Sequence, residues 1–191
     1  MNTEELNALK ERAYKTAVEH GFHEEEKSDA FYLGLVMSEA GEAFNADRKG
    51  RHANTGAFEW DMVNIPFMDC FETYIKDTVE DEIADMVIRL LDFAGMKGYT
   101  LLISGFSELP SNAIIETFAG NGLAGTLFHL NGVLSDSLDD NTTKATVGIV
   151  INILSDCFDK LTGGSDCDLW WFVEQKMKYN ELRPKLNGKR Y

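Results

Sequence analysis

The chain has 191 residues and a formal net charge of −14, from 32 acidic and 18 basic side chains. Its length suggests one domain with a sizeable core. The acid excess argues against polynucleotide partners, because binding a phosphate backbone needs clustered Lys and Arg. No apolar run approaches the roughly 20 residues of a membrane span, and the polar, acidic start is unlike a secretory signal. We therefore expect a cytoplasmic protein without a membrane partner.

Apolar residues recur at helical spacing along almost the whole chain, and strand-like alternation does not persist. The sequence therefore predicts an all-α fold. In chain order, the predicted helices cover residues 3–20, 28–48, 67–74, 77–97, 111–137, 142–161 and 167–181.

Local residues predict where two of these helices begin. Ser28 and Thr78 are suited to cap the second and fourth helices, and Asp81 follows Thr78 at the spacing of a near capping box. Residues 49–66 form one long polar connection, which includes Trp60. A connection of this length in a compact domain is more often functional than idle.

Two acid pairs, Glu39/Glu42 and Glu82/Asp85, have i,i+3 spacing inside predicted helices. This spacing puts both carboxylates of a pair on one helix face. Such pairs also arise on solvated faces of acidic chains, but the first pair here continues an otherwise apolar stripe. If the two helices pack together, the four acids repel unless a cation lies between them. Ligands that are all oxygen favour Mg²⁺, with Mn²⁺ as an alternative.

The segment KMKYNELRPKLNGKRY, residues 176–191, is the strongly basic part of this acidic chain. Lys and Arg clamp phosphate oxygens, so the segment is a candidate for holding a phosphorylated substrate; the alternative is a solvated basic tail. Arg89 stands four residues after Asp85 and three before Asp92. That spacing favours a bridge between acids on its own helix.

Three blocks carry a family pattern: LGLVMSEAGEAFNADRKG (33–50), IKDTVEDEIADMVIRLLDFAG (75–95) and KMKYNELRPKLNGKRY (176–191). In this order they resemble the all-α nucleoside triphosphate pyrophosphohydrolases of MazG type. The family binds Mg²⁺ through an ExxE pair and a later ExxD pair. The resemblance implies a metal role for Glu39, Glu42, Glu82 and Asp85. It also implies that phosphates or base are held by Lys178, Asn180, Arg183 and Lys189.

The family often carries a further acid directly before the first pair, where this chain has Ser38. The resemblance implies one domain over 1–191, a MazG-like helical bundle with core blocks 1–100 and 170–191. Residues 101–169 are then extra helical material.

This insert is interpreted either as a degenerate internal repeat, because CFDKLTGGSDCDL (157–169) looks like LLDFAGMKGYTLL (90–102), or as a chance likeness between helices. In that register Ile149 and Asn152 stand in place of Glu82 and Asp85, so the second copy lacks metal ligands. The insert would then replace the second subunit of dimeric dUTPase-type relatives. We accordingly expect a homodimer or a pseudo-dimeric monomer.

The activity implied by the resemblance is Mg²⁺-dependent hydrolysis of a (deoxy)nucleoside triphosphate between its α and β phosphates. The products are a monophosphate and pyrophosphate, and the role is nucleotide-pool housekeeping. Glu39 or Glu42 is the catalytic candidate for orienting the attacking water. Trp60, Phe58 and Tyr179 are either aromatics that stack on the base or plain core residues.

Two other classes of protein also place acids on facing helices or retain such a fold. A ferritin-like di-iron bundle uses Glu-x-x-His pairs, and none of the four histidines lies three residues after a Glu. A non-catalytic helical module that binds a nucleotide or a protein remains the alternative. Ser38 favours this alternative, whereas retention of all four paired acids counts against it.

Overall fold

The computed structural model describes residues 1–102, 120–137 and 140–185. Over these residues the chain is helical and contains no strand, so the predicted all-α fold class is confirmed. The helices are α1 (Thr3–Glu19), α2 (Asp29–Arg48), α3 (Thr55–Asp61), α4 (Phe67–Tyr74), α5 (Val79–Met96), α6 (Gly122–Ser135), α7 (Asp140–Thr162) and α8 (Leu169–Glu181). Within the described ranges, no helix has both the length and the apolar character needed to cross a bilayer.

The long polar connection at 49–66 differs from the prediction, because it contains α3. Asn54 caps this seven-residue helix by accepting a hydrogen bond from the Ala57 N–H at 3.0 Å. Only Thr55 and Phe58 are buried in it, which is too few for a periodic apolar pattern to be visible in the sequence. The first part of the predicted helix at 111–137 lies outside the described residues, and α6 begins at Gly122.

The predicted caps of the two acid-bearing helices are confirmed. The Ser28 hydroxyl accepts from the Phe31 N–H, and the Thr78 hydroxyl accepts from the Asp81 N–H, each at 3.3 Å. Asp81 does not complete a capping box, because its Oδ2 accepts from the Asp77 N–H instead. The Thr78 cap places Glu82 in the first turn of α5, where the helix dipole favours a carboxylate.

Helix α5 lies at the centre of the described structure. It packs against α1, α2, α7 and α8, and α2 packs in turn against α6. Almost every side chain from Val79 to Ala94 is buried, including the acids Asp81, Glu82 and Asp92. These acids are buried because helices surround α5 on most sides.

Helices α1 and α5 approach closely at Gly95. A Cβ at this position would lie 2.5 Å from the Tyr14 Cβ and 3.2 Å from the Lys10 carbonyl oxygen. The buried Lys10 ammonium donates to the Tyr99 carbonyl oxygen at 2.7 Å, just beyond the end of α5. The missing side chain at Gly95 therefore sets the distance between the two helices.

A candidate metal centre between α2 and α5

Three carboxylates converge where α2 packs against α5. Glu39 and Glu42 come from α2 and Glu82 from α5, and each offers one oxygen such that the three atoms lie within 4.8 Å of one another. Glu39 and Glu82 are each only 4% exposed, whereas Glu42 is exposed. The cluster is therefore buried on one side and reaches solvent at Glu42.

Burial and neighbouring charge disfavour the ionised form of Glu82. Loss of water contact is the main reason that its pKa is raised to about 9. The neighbouring carboxylate of Asp81 raises the pKa further, while the ammonium of Lys176 opposes this effect. Glu82 therefore holds a proton at neutral pH when no metal cation is bound nearby.

Asp85 lies on α5 one turn after Glu82, but it is outside the set of three converging acids. The Lys176 Nζ on α8 is 3.0 Å from the Asp85 Oδ2 and 2.7 Å from the Asp81 Oδ2. Burial lowers the pKa of Lys176, yet the charges of these two acids outweigh it and hold that pKa above its usual value. Burial likewise raises the pKa of Asp81, to about 6, against the opposing charge of Lys176.

Arg89 connects the two acid-bearing helices. Its Nε and Nη2 each lie 3.1 Å from the Glu39 Oε1, and its guanidinium lies 5.8 Å from the ring centre of Phe22. The predicted bridge along α5 is therefore incomplete, because the hydrogen bond crosses to α2. Burial lowers the pKa of Arg89, but the charges of Asp85 and Glu39 raise it by more, so the guanidinium stays charged.

A cavity of about 50 Å³ lies beside Asp85, between α1, α5 and α8. Asp85 and Arg89 line it from α5, and Asn180 and Arg183 line it from the end of α8. The Asn180 Oδ1 is buried and has no hydrogen-bond partner, a condition that costs roughly 1–3 kcal/mol. Two of the predicted substrate-binding residues thus share a cavity with Asp85, and one of them has a buried acceptor without a hydrogen-bond partner.

A second cavity, of about 110 Å³, lies on the other side of Phe22. Arg89 and Asp92 line both cavities, and Tyr32 lines the second. His23 connects these polar groups: its Nε2 is 2.7 Å from the Asp92 Oδ1, and its Nδ1 is 3.2 Å from the Tyr32 hydroxyl. Polar side chains therefore continue from the acid cluster into both cavities.

The other predicted substrate-binding residues lie elsewhere. Lys178 places its ammonium 4.0 Å from the ring centre of Phe67 on α4, and Trp60 is 80% exposed on α3. Neither lines a cavity described above. Lys189 lies outside the described residues.

Two of the three aromatic candidates are core residues. Phe58 is buried and meets Trp171 edge to face at 5.6 Å. Tyr179 is buried against Phe71 in a stack with ring centres 4.4 Å apart. Of the three candidates, Trp60 alone presents an exposed ring.

Lys176 and Asp81 lie beside the candidate site but are not among the residues that the sequence predicts for it. Lys176 precedes Asn180 by four residues and Arg183 by seven, which is the spacing of one helix face and the signal that was available. The sequence does not indicate that Asp81 has a role in the site, because its spacing from Thr78 already suggests a capping residue.

The donor set fits a hard divalent cation. All donors in the cluster are carboxylate oxygens, and the described residues bring no histidine or cysteine into it. A cation that binds here would favour the ionised form of Glu82, whose proton the crowding of acids otherwise retains. Comparisons of the chain with family models, curated proteins and solved structures found no match.

Proposed function

We propose that the protein is a MazG-type nucleoside triphosphate pyrophosphohydrolase that cleaves its substrate between the α and β phosphates. The observation that carries this proposal is the convergence of Glu39, Glu42 and Glu82 within 4.8 Å between two helices. A cavity lined by Asp85 of α5, with Asn180 and Arg183 in its wall, supports it. The family and the reaction come from the resemblance of the three sequence blocks, in their order, to the MazG-type enzymes.

Mg²⁺ or Mn²⁺ suits the donor set, with Glu39, Glu42 and Glu82 as ligands and Asp85 as the fourth that the resemblance implies. Such an ion, when bound, neutralises phosphate oxygens and lowers the pKa of a coordinated water. Binding would also replace the proton that Glu82 holds at neutral pH, so the centre should release a proton as it takes up metal.

Glu42 is the stronger candidate for the general base. Glu39 accepts a hydrogen bond from Arg89 and is buried, whereas Glu42 faces solvent, from which the attacking water arrives. In this role the Glu42 carboxylate takes a proton from water as the water oxygen bonds to phosphorus. The bridging oxygen then leaves with the other phosphorus atom, which yields the monophosphate and pyrophosphate.

The cavity lining suits the sugar or base edge of a substrate, with a phosphate beside it. Arg183 supplies a guanidinium for phosphate oxygens, and the Asn180 Oδ1 accepts a hydrogen bond from a sugar hydroxyl or a base N–H. A cavity of about 50 Å³ has room for a few water molecules, so it fits a sugar or a base edge rather than a whole nucleotide. Lys178, Lys189 and Trp60 stay predictions.

In this proposal, residues 101–169 occupy the place that a second subunit has in the dimeric dUTPase-type enzymes. Helix α6 packs against α2, and α7 packs against α5, so both acid-bearing helices are covered by helices from 101–169. This arrangement supports the pseudo-dimeric monomer over the homodimer.

The test is pyrophosphate release from a panel of canonical and modified (deoxy)nucleoside triphosphates with Mg²⁺ or Mn²⁺. We expect one group of nucleotides to give the monophosphate and pyrophosphate. Glu42→Gln should lower kcat by about 100-fold or more, because a positioned base contributes that much. Asp47→Asn, which removes an exposed acid from the same helix, is the matched control and should keep wild-type activity. No release from any nucleotide would favour the non-catalytic binding module.

A further inference from the structure

The end of α8 carries three polar residues that face the acid-bearing helix α5. Lys176 and Asn180 are one turn apart, and Arg183 follows just after the helix ends at Glu181. Lys176 lies among the buried acids of α5, and the other two residues line the cavity beside Asp85. This face therefore runs from the candidate metal centre to the candidate substrate cavity.

Lys176 joins α8 to two successive turns of α5. Its ammonium is 2.7 Å from the Asp81 Oδ2 and 3.0 Å from the Asp85 Oδ2, and these acids are four residues apart. The ammonium also lies near the stacked rings of Phe71 and Tyr179, with the Phe71 centre at 5.7 Å and the Tyr179 centre at 6.0 Å. The Lys176 side chain is 6% exposed, so little freedom remains to it.

A stabilising role alone does not account for this group of charges. Buried ion pairs gain little net stability, because the loss of hydration offsets much of the attraction, and apolar replacements are often neutral. An apolar residue in place of Lys176 would, however, no longer orient the Asp85 carboxylate. It would also no longer fix the position of α8 along α5.

We propose that Lys176 is a positioning residue that orients Asp85 for the metal centre and sets α8 so that Asn180 and Arg183 reach the substrate. This inference rests on the proposed function. Side chains that hydrogen-bond to metal ligands typically change metal affinity 10- to 100-fold when removed. Loss of Lys176 should therefore weaken metal binding and raise KM.

The test uses the double variant Lys176→Met/Asp81→Asn. Removing one positive and one negative charge keeps the net charge of the centre, so metal affinity does not change through long-range charge alone. The substitution also avoids leaving Asp81 buried and charged without a partner. Asp85 keeps its identity but loses the Lys176 ammonium.

Arg12→Met is the matched control. Arg12 also fastens α8, through Nε to Glu181 at 2.7 Å and through Nη1 to Glu174 at 2.6 Å. These ion pairs connect α8 to α1 and involve none of the acids of the metal centre. The control thus loosens α8 without altering Asp85.

The readouts are the Kd for Mn²⁺ without nucleotide, by electron paramagnetic resonance, together with helicity by circular dichroism and KM for the hydrolysed nucleotide. We expect a folded double variant with a Kd and a KM raised about 10- to 100-fold. Arg12→Met should keep its Mn²⁺ Kd within about twofold of wild type. If the double variant does not fold, Lys176→Gln/Asp81→Asn, with two polar amides at these positions, is measured by the same criterion.

The outcomes separate this inference from the proposed function. A folded double variant with wild-type Kd and KM overturns the inference and leaves the function standing. A Kd raised equally by Arg12→Met also overturns it, because any loosening of α8 would then suffice. Failure of the wild-type protein to bind Mn²⁺ overturns both.

Discussion

Glu82 makes the stability of the metal-free protein depend on pH. Its carboxyl has a pKa of about 9 in the folded chain, chiefly because of burial, against a value of 4.5 when solvated. Between these values the folded state binds a proton that the unfolded state has lost. This contribution to stability is complete below about pH 4.5 and disappears as the pH rises through 9, so the free energy of unfolding falls across that window.

We predict that Glu82→Gln removes this slope and stabilises the metal-free protein at pH 8. The slope to be lost is at most about 1.4 kcal/mol per pH unit. The measurement is urea unfolding with a chelator between about pH 6.5 and 8.5, above the pKa of about 6 at Asp81. Glu42→Gln removes an exposed acid of the same cluster and should retain the slope. An unchanged slope in Glu82→Gln would contradict the assignment.

Single residues of the site differ in how far the sequence predicts them. The pairs Glu39/Glu42 and Glu82/Asp85 were found because i,i+3 spacing fixes their common face within one helix. Lys176 was not found, because its ion pair with Asp81 joins residues 95 positions apart. A pattern within one helix contains no information on such partners.

Helix starts are predictable for a related reason. The caps at Ser28 and Thr78 involve neighbours within three residues, so local sequence determines them. The close approach of α1 to α5 is different, because Gly95 alone does not indicate which helix will pack against it. The contact with Tyr14 appears only when both helices are in place.

We predict opposite effects of alanine at two helical glycines. Gly95→Ala puts a methyl group into the contact with Tyr14 and should destabilise the protein by about 1–3 kcal/mol. Gly34→Ala, on the exposed side of α2 with no atom within 4 Å, should stabilise it by up to about 1 kcal/mol through helix propensity. Chemical unfolding of both variants checks the pair. A neutral Gly95→Ala would mean that α1 can shift at little cost.

The whole chain carries a net charge of −14, and its central helix buries several of the acids. A cation that binds the folded state alone adds RT ln(1 + [L]/Kd) to the free energy of unfolding, about 2.7 kcal/mol at 100 times Kd. We predict that Mg²⁺ raises the melting temperature accordingly, and that Glu39→Gln/Glu82→Gln abolishes the rise.

The control for this prediction is NaCl at the same ionic strength. General screening of a negative chain would raise the melting temperature with either salt. An equal rise in MgCl₂ and NaCl would therefore count against a specific centre. A rise with MgCl₂ alone, lost in the double variant, would support it.

The fold class was predictable because helical periodicity persists through the chain, whereas the packing partners of each helix were not. The positions of α6 against α2 and α7 against α5 come from contacts between distant segments. The internal repeat in residues 101–169 stays a prediction. Ile149 and Asn152, which align with Glu82 and Asp85, are not metal ligands, so the two copies have no shared site to compare.

The 95-residue separation of Asp81 and Lys176 also has a consequence in time. At synthesis rates of about 5–20 residues per second, the ribosome makes the acids of α5 roughly 5 to 20 seconds before their buried counter-ion. During that interval Asp81 has no ammonium to enter the core with, so α5 stays partly hydrated and its apolar face stays accessible. We therefore expect the central helix to be among the last to reach its final packing, after α8 is made.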